Sequence, residues 1–359
     1  MLKRTSLYDR HVALNAKLAE FGGFDMPIQY TSVKDEVLAV RKTVGVFDVS
    51  HMGEFWVSGP EALKFVDYLV TNDVASAPIG KAVYSPLCRP DGTIVDDLIV
   101  YKLENERILI CVNASNIAKD WDWISSQVKS FNCSLIDKSE ETSLLAVQGP
   151  LAEEVLRKIG LDSNLLKEMS YYEVRSSVYR NEKIVLARTG YTGEDGFEVF
   201  APHTIIAFLW DKLAQEKAVP CGLAARDVLR TEVCYPLYGH EINDHNTPLD
   251  AGLKWTVRSQ KEKFIGKEAL SKHTARTKLI KFTCKSGIPR QGHVIVNAQH
   301  ETLGTVTSGT HSVTLGMGIG LALVDAKKYI ADRPCHIIIR DKEHDIAIQD
   351  KPFVKGGHK

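Results

Sequence analysis

The chain has 359 residues, 44% hydrophobic and 25% charged, with 45 Lys and Arg against 45 Asp and Glu, so its formal net charge is zero. That length predicts two or three domains with real apolar cores and excludes a disulfide-stapled miniprotein or a disordered tail. A balanced charge argues against general nucleic-acid or membrane-surface binding, which needs a basic excess, so neither partner is expected and selectivity must come from a local site.

In chain order, RHVALNAKLAE at 10–20 predicts one or two helical turns, and GGFDMP at 22–27 breaks the pattern before a loop with aromatic character. Residues 32–42 carry helical spacing, 44–58 switch to strand-like content around FDVSHMGEFWV, and 60–71 predict a short helix with Pro60 in its first turn. From 82 to 113 the pattern is a meander of three antiparallel strands, with turns at RPDG and LENE. Helices are expected at 116–131, 150–158, 202–217 and 222–235, and strands near 143–147, 172–179, 184–188 and 197–200. The class is therefore α+β with mixed and antiparallel sheets. Beyond residue 263, strand candidates at 278–284, 293–296, 304–308, 316–324, 335–339 and 346–352 predict a separate small β-barrel or sandwich.

The seven cysteines, at 88, 111, 133, 221, 234, 284 and 335, include no CxxC pair and suit free thiols in a reducing compartment. The N-terminus lacks the apolar stretch of a secretory signal, and no segment approaches the ~20 apolar residues of a membrane span. The cytoplasm is the expected location. GMGIG at 316–320 has the wrong spacing and context for a dinucleotide loop, and GxxxxGK[ST], HExxH and GxSxG are absent. His240 and His245 are not spaced to share one metal, and no metal site is expected.

Three stretches carry chemistry. In TIVDDLIVY, alternation places Asp97, Ile99 and Tyr101 on one face and Asp96, Leu98 and Val100 on the other. An inward carboxylate there calls for a cationic or donor-rich ligand, because left unpaired it costs several kcal/mol. In ARTGYTGEDGFEVF, glycines shape a loop, and alternation sets Glu198 opposite Phe197 and Val199, where it can capture an amidine-like N–H pair. In GLAARDVLRTEVCY, Arg226 and Arg230 lie four apart on one helix face and either can clamp a carboxylate or heterocycle carbonyl. Tyr84, Tyr101, Tyr191, Tyr238 and Trp255 lie in or beside these segments and can stack on a flat ligand or fill a core.

Together, LYDRH, FGGFDMPIQY, VGVFDVSHMGE, DGTIVDDLIVY, CVNASN, RTGYTGEDGFEVF, GLAARDVLRTE and the terminal GTVTSG and PFVK resemble the aminomethyltransferase family of the glycine cleavage system, the T-proteins, nearly end to end. The resemblance implies a multidomain folate-binding fold: two interleaved subdomains over residues 1–262 and a C-terminal β-barrel over 275–359. It implies tetrahydrofolate as co-substrate and, as partner, the lipoyl carrier protein (H-protein) of glycine catabolism. It places Asp97 near the reacting folate nitrogens as the catalytic group, with Glu198 and Arg226 holding the folate and Arg230 competing for the clamp. Met52, Tyr84, Ile99, Tyr101, Asn113 and Tyr191 are implied to line the pocket, joined by Tyr238 and Trp255.

The reaction so implied moves the methylene of an S-aminomethyl-dihydrolipoyl arm to tetrahydrofolate and releases ammonia. Phe24 stands where the family commonly has Trp, and GHEI at 239–242 departs from the usual text. Two relatives share the fold. The folate portions of dimethylglycine and sarcosine oxidases come fused to a flavin domain whose fingerprint this chain lacks. A folate-binding iron–sulfur assembly protein carries a marker cysteine where Pro236 stands, two residues from Cys234.

Overall fold

Along the strand Gly196–Pro202, Phe197, Val199 and Ala201 enter one core while Phe200 enters another, so a period of two assigns each face of the sheet a different partner. The computed structural model describes residues 2–358. This first sheet has six strands, in the spatial order Val174–Tyr179, Glu182–Ala187, Gly196–Pro202, Thr142–Gln148, Gly45–Asp48 and Val219–Pro220, antiparallel except for the last pair. Its Phe197 face packs on helices Ala152–Lys158, Ser163–Glu168 and His203–Gln215.

The second sheet has five antiparallel strands in the order Lys81–Cys88, Ile94–Glu104, Arg107–Val112, Gly53–Ser58 and Ser134–Asp137. One face, with Phe55, Leu98 and Val100, buries against helices Ala62–Leu69 and Ile117–Val128. The other, with Tyr101, Leu109 and Cys111, meets Phe47, Ala146, Ala187 and Phe200 of the first sheet. Helices Val33–Lys42 and Leu223–Glu232 complete this shared core with Val37, Val40, Ala225, Val228 and Leu229. The first is capped by Ser32, whose Oγ accepts the Asp35 N–H at 3.0 Å. The two sheets thus face each other, and whatever points inward from both meets in the middle.

The third sheet is antiparallel, with seven strands in the order Lys342–Asp345, Cys335–Ile339, Val294–Asn297, Thr302–Ser312, Met317–Asp325, Thr277–Cys284 and Ala347–Gln349. Its two edge strands are separated in the chain by Ile346 alone, which spans at most ~7 Å between the flanking Cα atoms. The edges therefore come together and the sheet curls into a barrel. Glu232, fully buried at the end of its helix, fastens that barrel to the core: it accepts from Arg41 (Nη2 at 2.7 Å), from Ser312 Oγ (2.6 Å) and from the backbone and hydroxyl of Thr314.

Several expectations need correction. The helix expected at 10–20 ends at Ala13; Asn15 turns left-handed (φ 55°) and Lys17–Phe21 is a strand. Nor is the following stretch a loop. Phe24–Gln29 pairs with Lys17–Phe21 around Gly22 and Gly23, whose positive φ angles (58° and 85°) are what a two-residue hairpin turn requires. The strand-like stretch 44–58 is two strands in different sheets, divided at residues 49–52. Pro60 lies outside its helix, which starts at Ala62 after Glu61. Ser134–Asp137, Ser163–Glu168, Lys267–Lys272 and Lys342–Asp345 were not foreseen, being too short for their periodicity to stand out. Among the described residues, no helix is long and apolar enough to cross a membrane.

Replacing Glu232 by Ala leaves the Arg41 guanidinium without its main buried partner. The expected loss is about 3–5 kcal/mol of unfolding free energy, read from urea melts.

Candidate active site

Asp97 sits on the inner face of the second sheet, as alternation requires. Its Oδ2 accepts from Tyr84 Oη at 2.9 Å, and its Oδ1 accepts from Asn113 Nδ2 at 3.0 Å. Tyr84 lies on the neighbouring strand, where Ile99 is its cross-strand partner. Asn113 directly follows the strand Arg107–Val112 and caps the short helical turn that leads into Ile117–Val128. Burial first, and then the adjacent negative charge of Asp96, push the Asp97 carboxyl up to about 7. A group in that range can be an anion or hold a proton at neutral pH, which is what reversible proton transfer needs.

Glu198 faces Asp97's sheet from the opposite one. Its Oε2 accepts from Tyr101 Oη (3.0 Å) and Thr189 Oγ1 (2.5 Å), while Oε1 takes no donor from the described residues. The Tyr101 and Asp97 Cα atoms are four residues apart on one strand, roughly 13 Å. Arg226 lies beside Glu198, its guanidinium carbon 4.8 Å from the Tyr191 ring centroid, and its buried Nη1 has no hydrogen-bond partner. A free carboxylate oxygen and an unpartnered guanidinium N–H at one end of the site suit a heterocycle edge that offers N–H donors next to a carbonyl.

The structure distinguishes the two arginines. Arg230 spends its donors on the protein, on Asp227 Oδ1 (2.7 and 2.8 Å), Glu241 Oε2 (3.2 Å) and the Tyr235 carbonyl (3.2 Å). Arg226 keeps a donor for something else. Glu241 in turn accepts from Thr307 Oγ1 at 2.6 Å, so this pair ties the helix to the barrel.

Met52 and Ile99 are partly buried against the shared core, and Tyr191 is held by donating to the Pro236 carbonyl. Trp255 is 57% exposed and stacks 5.9 Å from the Tyr84 ring, on the outer side of the Asp97 end. Tyr238 packs with Tyr84 in an adjoining cluster but turns its hydroxyl to Lys119 Nζ (2.6 Å), near Asp244. The nominated residues therefore form two groups on the inner faces, Asp97 with Tyr84 and Asn113 and Glu198 with Tyr101, Tyr191 and Arg226. Trp255 and Tyr238 stand outside them. Among the described residues, no group of three or more His, Cys, Asp or Glu is set to hold a metal.

Sequence reasoning passed over two buried groups in the DVSHMGE stretch. His51, edge-on to Phe21 at 5.5 Å, has an unpartnered Nδ1, and burial lowers it to about 4, so the ring is neutral. Glu54 has no donor to either oxygen, and burial raises it well above the usual carboxylate range. Both lie within two residues of Met52, and that proximity was the available signal.

Two facing sheets thus present fixed carboxyls and an unspent guanidinium to a common interior. Residues 7–261 match the GCVT N-terminal domain, and residues 277–355 match the glycine cleavage T-protein C-terminal barrel domain. The aminomethyltransferase of Thermotoga petrophila is 43% identical over 362 residues, covering 99% of this chain and 98% of that protein. That of Thermosipho melanesiensis is 45% identical over 365 residues, covering 100% and 99%. The crystal structure of glycine cleavage system aminomethyltransferase T from Bartonella henselae superposes with a TM-score of 0.93 at 31% identity, over 100% of this chain and 99% of that one. The chain belongs to the glycine cleavage T-protein family.

Replacing Arg226 by Met removes an unpartnered buried donor, whereas Arg230→Met strands Asp227 and Glu241. Urea melts should show Arg230→Met less stable by about 3–5 kcal/mol and Arg226→Met within about 1 kcal/mol of the parent.

Proposed function

We propose that this chain is a tetrahydrofolate-dependent aminomethyltransferase acting on an S-aminomethyl-dihydrolipoyl carrier protein in glycine catabolism, in the cytoplasm. The carbon–sulfur and carbon–nitrogen bonds of the aminomethyl group break. The methylene becomes bonded to N5 and N10 of tetrahydrofolate, and the two hydrogens lost from those nitrogens leave with the lipoyl thiol and ammonia. Carbon keeps its oxidation level throughout, so the protein's task is to orient the folate nitrogen and stabilise iminium-like positive charge as the leaving group departs.

The observation that carries this reading is the pair of inward carboxyls, Asp97 and Glu198, on facing sheets of a chain whose full-length relatives are aminomethyltransferases. Those relatives do not favour the iron–sulfur assembly alternative. In this reading Glu198 accepts from the pterin ring N–H and amino group, Arg226 donates to its carbonyl, and Tyr101 and Thr189 fix the Glu198 geometry. Met52, Ile99 and Tyr191 supply the wall, and Trp255 and Tyr238 stand at the rim. Asp97, steadied by Tyr84 and Asn113, lies beside the reacting nitrogens as an anion that balances the developing positive charge and can take a proton from them. Seven thiols spread along the chain suit a reducing compartment.

The test combines the purified chain, tetrahydrofolate and an aminomethyl-loaded lipoyl carrier, with ammonia release followed with and without the folate. Release should depend on folate; folate-independent release would overturn the reading. Asp97→Asn should lower turnover by roughly 10²- to 10⁴-fold while folate affinity changes much less. Near-normal turnover in that variant would remove Asp97 from its role.

Because the anion is the working form, kcat/KM should rise with pH through about 7 as Asp97 loses its proton. That limb should vanish in the Asp97→Asn variant.

A further inference from the structure

Strand alternation turns Asp96 away from the inner face and toward the helix Ile117–Val128, where it is fully buried. Three N–H donors converge on its carboxylate: the Asn113 backbone (3.2 Å), Asn113 Nδ2 (2.9 Å) and Asn116 Nδ2 (2.7 Å). The same Asn113 side chain holds Asp97. One helical turn beyond Asn116 lies Asp120, also fully buried, with neither oxygen reached by an N–H or O–H donor of the described residues. The Asp96 carboxyl is its neighbour, since Asn116, one turn before Asp120 on the same helix, donates to Asp96.

Two neighbouring carboxyls in a dry interior do not both ionise. Position in the helix argues for charge on Asp120, since it sits in the first turn, but that preference is worth only about 0.3–1 kcal/mol against the several kcal/mol needed to bury an unpaired anion. Donor count decides the matter: three face Asp96 and none faces Asp120. We infer that Asp120 holds the proton of this pair and donates it to Asp96, making Asp120 a positioning residue that keeps one negative charge behind Asp97 and fixes Asn113 between the two aspartates.

The surrounding groups agree. Burial carries Asp120 well above the carboxylate range, with Asp96 and Asp97 adding to the rise and Lys119 opposing it. Lys119 directs its ammonium to Tyr238 Oη and Asp244 instead. Asp96 also rises through burial, but its hydrogen bonds pull the other way. Tyr84 and Tyr191 lie near Asp97, Tyr238 lies near Asp96, and Cys111 sits on the opposite, inner face of the sheet; burial raises the pKa of all four, so they add no charge at neutral pH. The charge that lifts Asp97 is that of Asp96, and it is there because Asp120 keeps the proton.

The kinetic part of the test rests on the proposed aminomethyl transfer, and the spectroscopic part does not. Infrared spectra of the full chain at about pH 8 should contain a protonated-carboxyl C=O band that Asp120→Asn abolishes, with Glu54→Gln removing a separate band. In the Asp120→Asn enzyme the acid limb of kcat/KM should stay within about half a pH unit of the parent, since the amide also donates to Asp96. Asp96→Asn removes the charge behind Asp97 and should move that limb to lower pH by about one unit or more. A spectrum from which Asp120→Asn removes no carboxyl band overturns the inference, as does a limb that Asp120→Asn moves as far as Asp96→Asn does. If Asp120→Asn does not fold, the Glu54→Gln protein decides. There Asp97 loses its own band through about 7, but a second carboxyl band should persist undiminished at about pH 9, and its absence at that pH overturns the proposal. Loss of the band with no folate-dependent ammonia release would leave the proton assignment standing and reject the function.

Discussion

A carboxyl group removed from water needs either a donor or a proton, and two sheets packed face to face bring several such groups into a common interior. Each one's state follows from the donors it receives. Glu198 has Tyr101 and Thr189, Asp97 has Tyr84 and Asn113, and Asp96 has the two asparagines. Asp120 and Glu54 have none, and burial makes them retain their protons. The site's charge pattern is thus set by where a few N–H and O–H groups point, more than by how many acidic residues the strands carry.

Those donors need a stiff frame. Arg188 binds Asp195 through two nitrogens (2.9 and 2.7 Å) and also reaches the carbonyls of Leu166 and Met169, which pins the loop before Gly196–Pro202 at both ends. Within that loop Gly193 has φ 82°, and a Cβ there would come within 2.2 Å of Val233, so only glycine lets Tyr191 and the helix end approach each other. At the far side Gly222 lies against the Ile28 backbone, where a Cβ would stand 2.2 Å from its carbonyl, and this contact sets how deeply the helix bearing Arg226 enters the core. Fixed dipoles of this kind can stabilise developing charge without having to reorganise during the reaction.

Much of the site was legible because strands have a strict period. Alternation alone separates Asp97 from Asp96 and Glu198 from Phe197 and Val199, the family resemblance singles out Asp97, and the meander at 82–113 follows from its turn residues. Asp120 was legible in principle: it falls between Ile117 and Ile124 on the apolar stripe of its helix, where a charged residue should have drawn notice. The choice between Arg226 and Arg230 was not legible. Two residues four apart on a helix share a face, and only the contacts with Asp227 and Glu241 show which of them is already occupied.

By itself the sequence determined the α+β class, the all-strand C-terminal region, the inward carboxyls and, through ordered motifs, the family. These depend on local periodicity, turn chemistry and the order of residues, all of which are written along the chain. Tertiary structure alone decided that Gly22 and Gly23 close a hairpin, that residues 44–58 serve two sheets, and that Asn113 bridges both aspartates. It alone paired Asp120 with Asp96 and left Arg226 with a donor to spare. Each of these depends on groups brought together from distant parts of the chain, and burial sets the energy of such meetings only once the sheets have closed on one another.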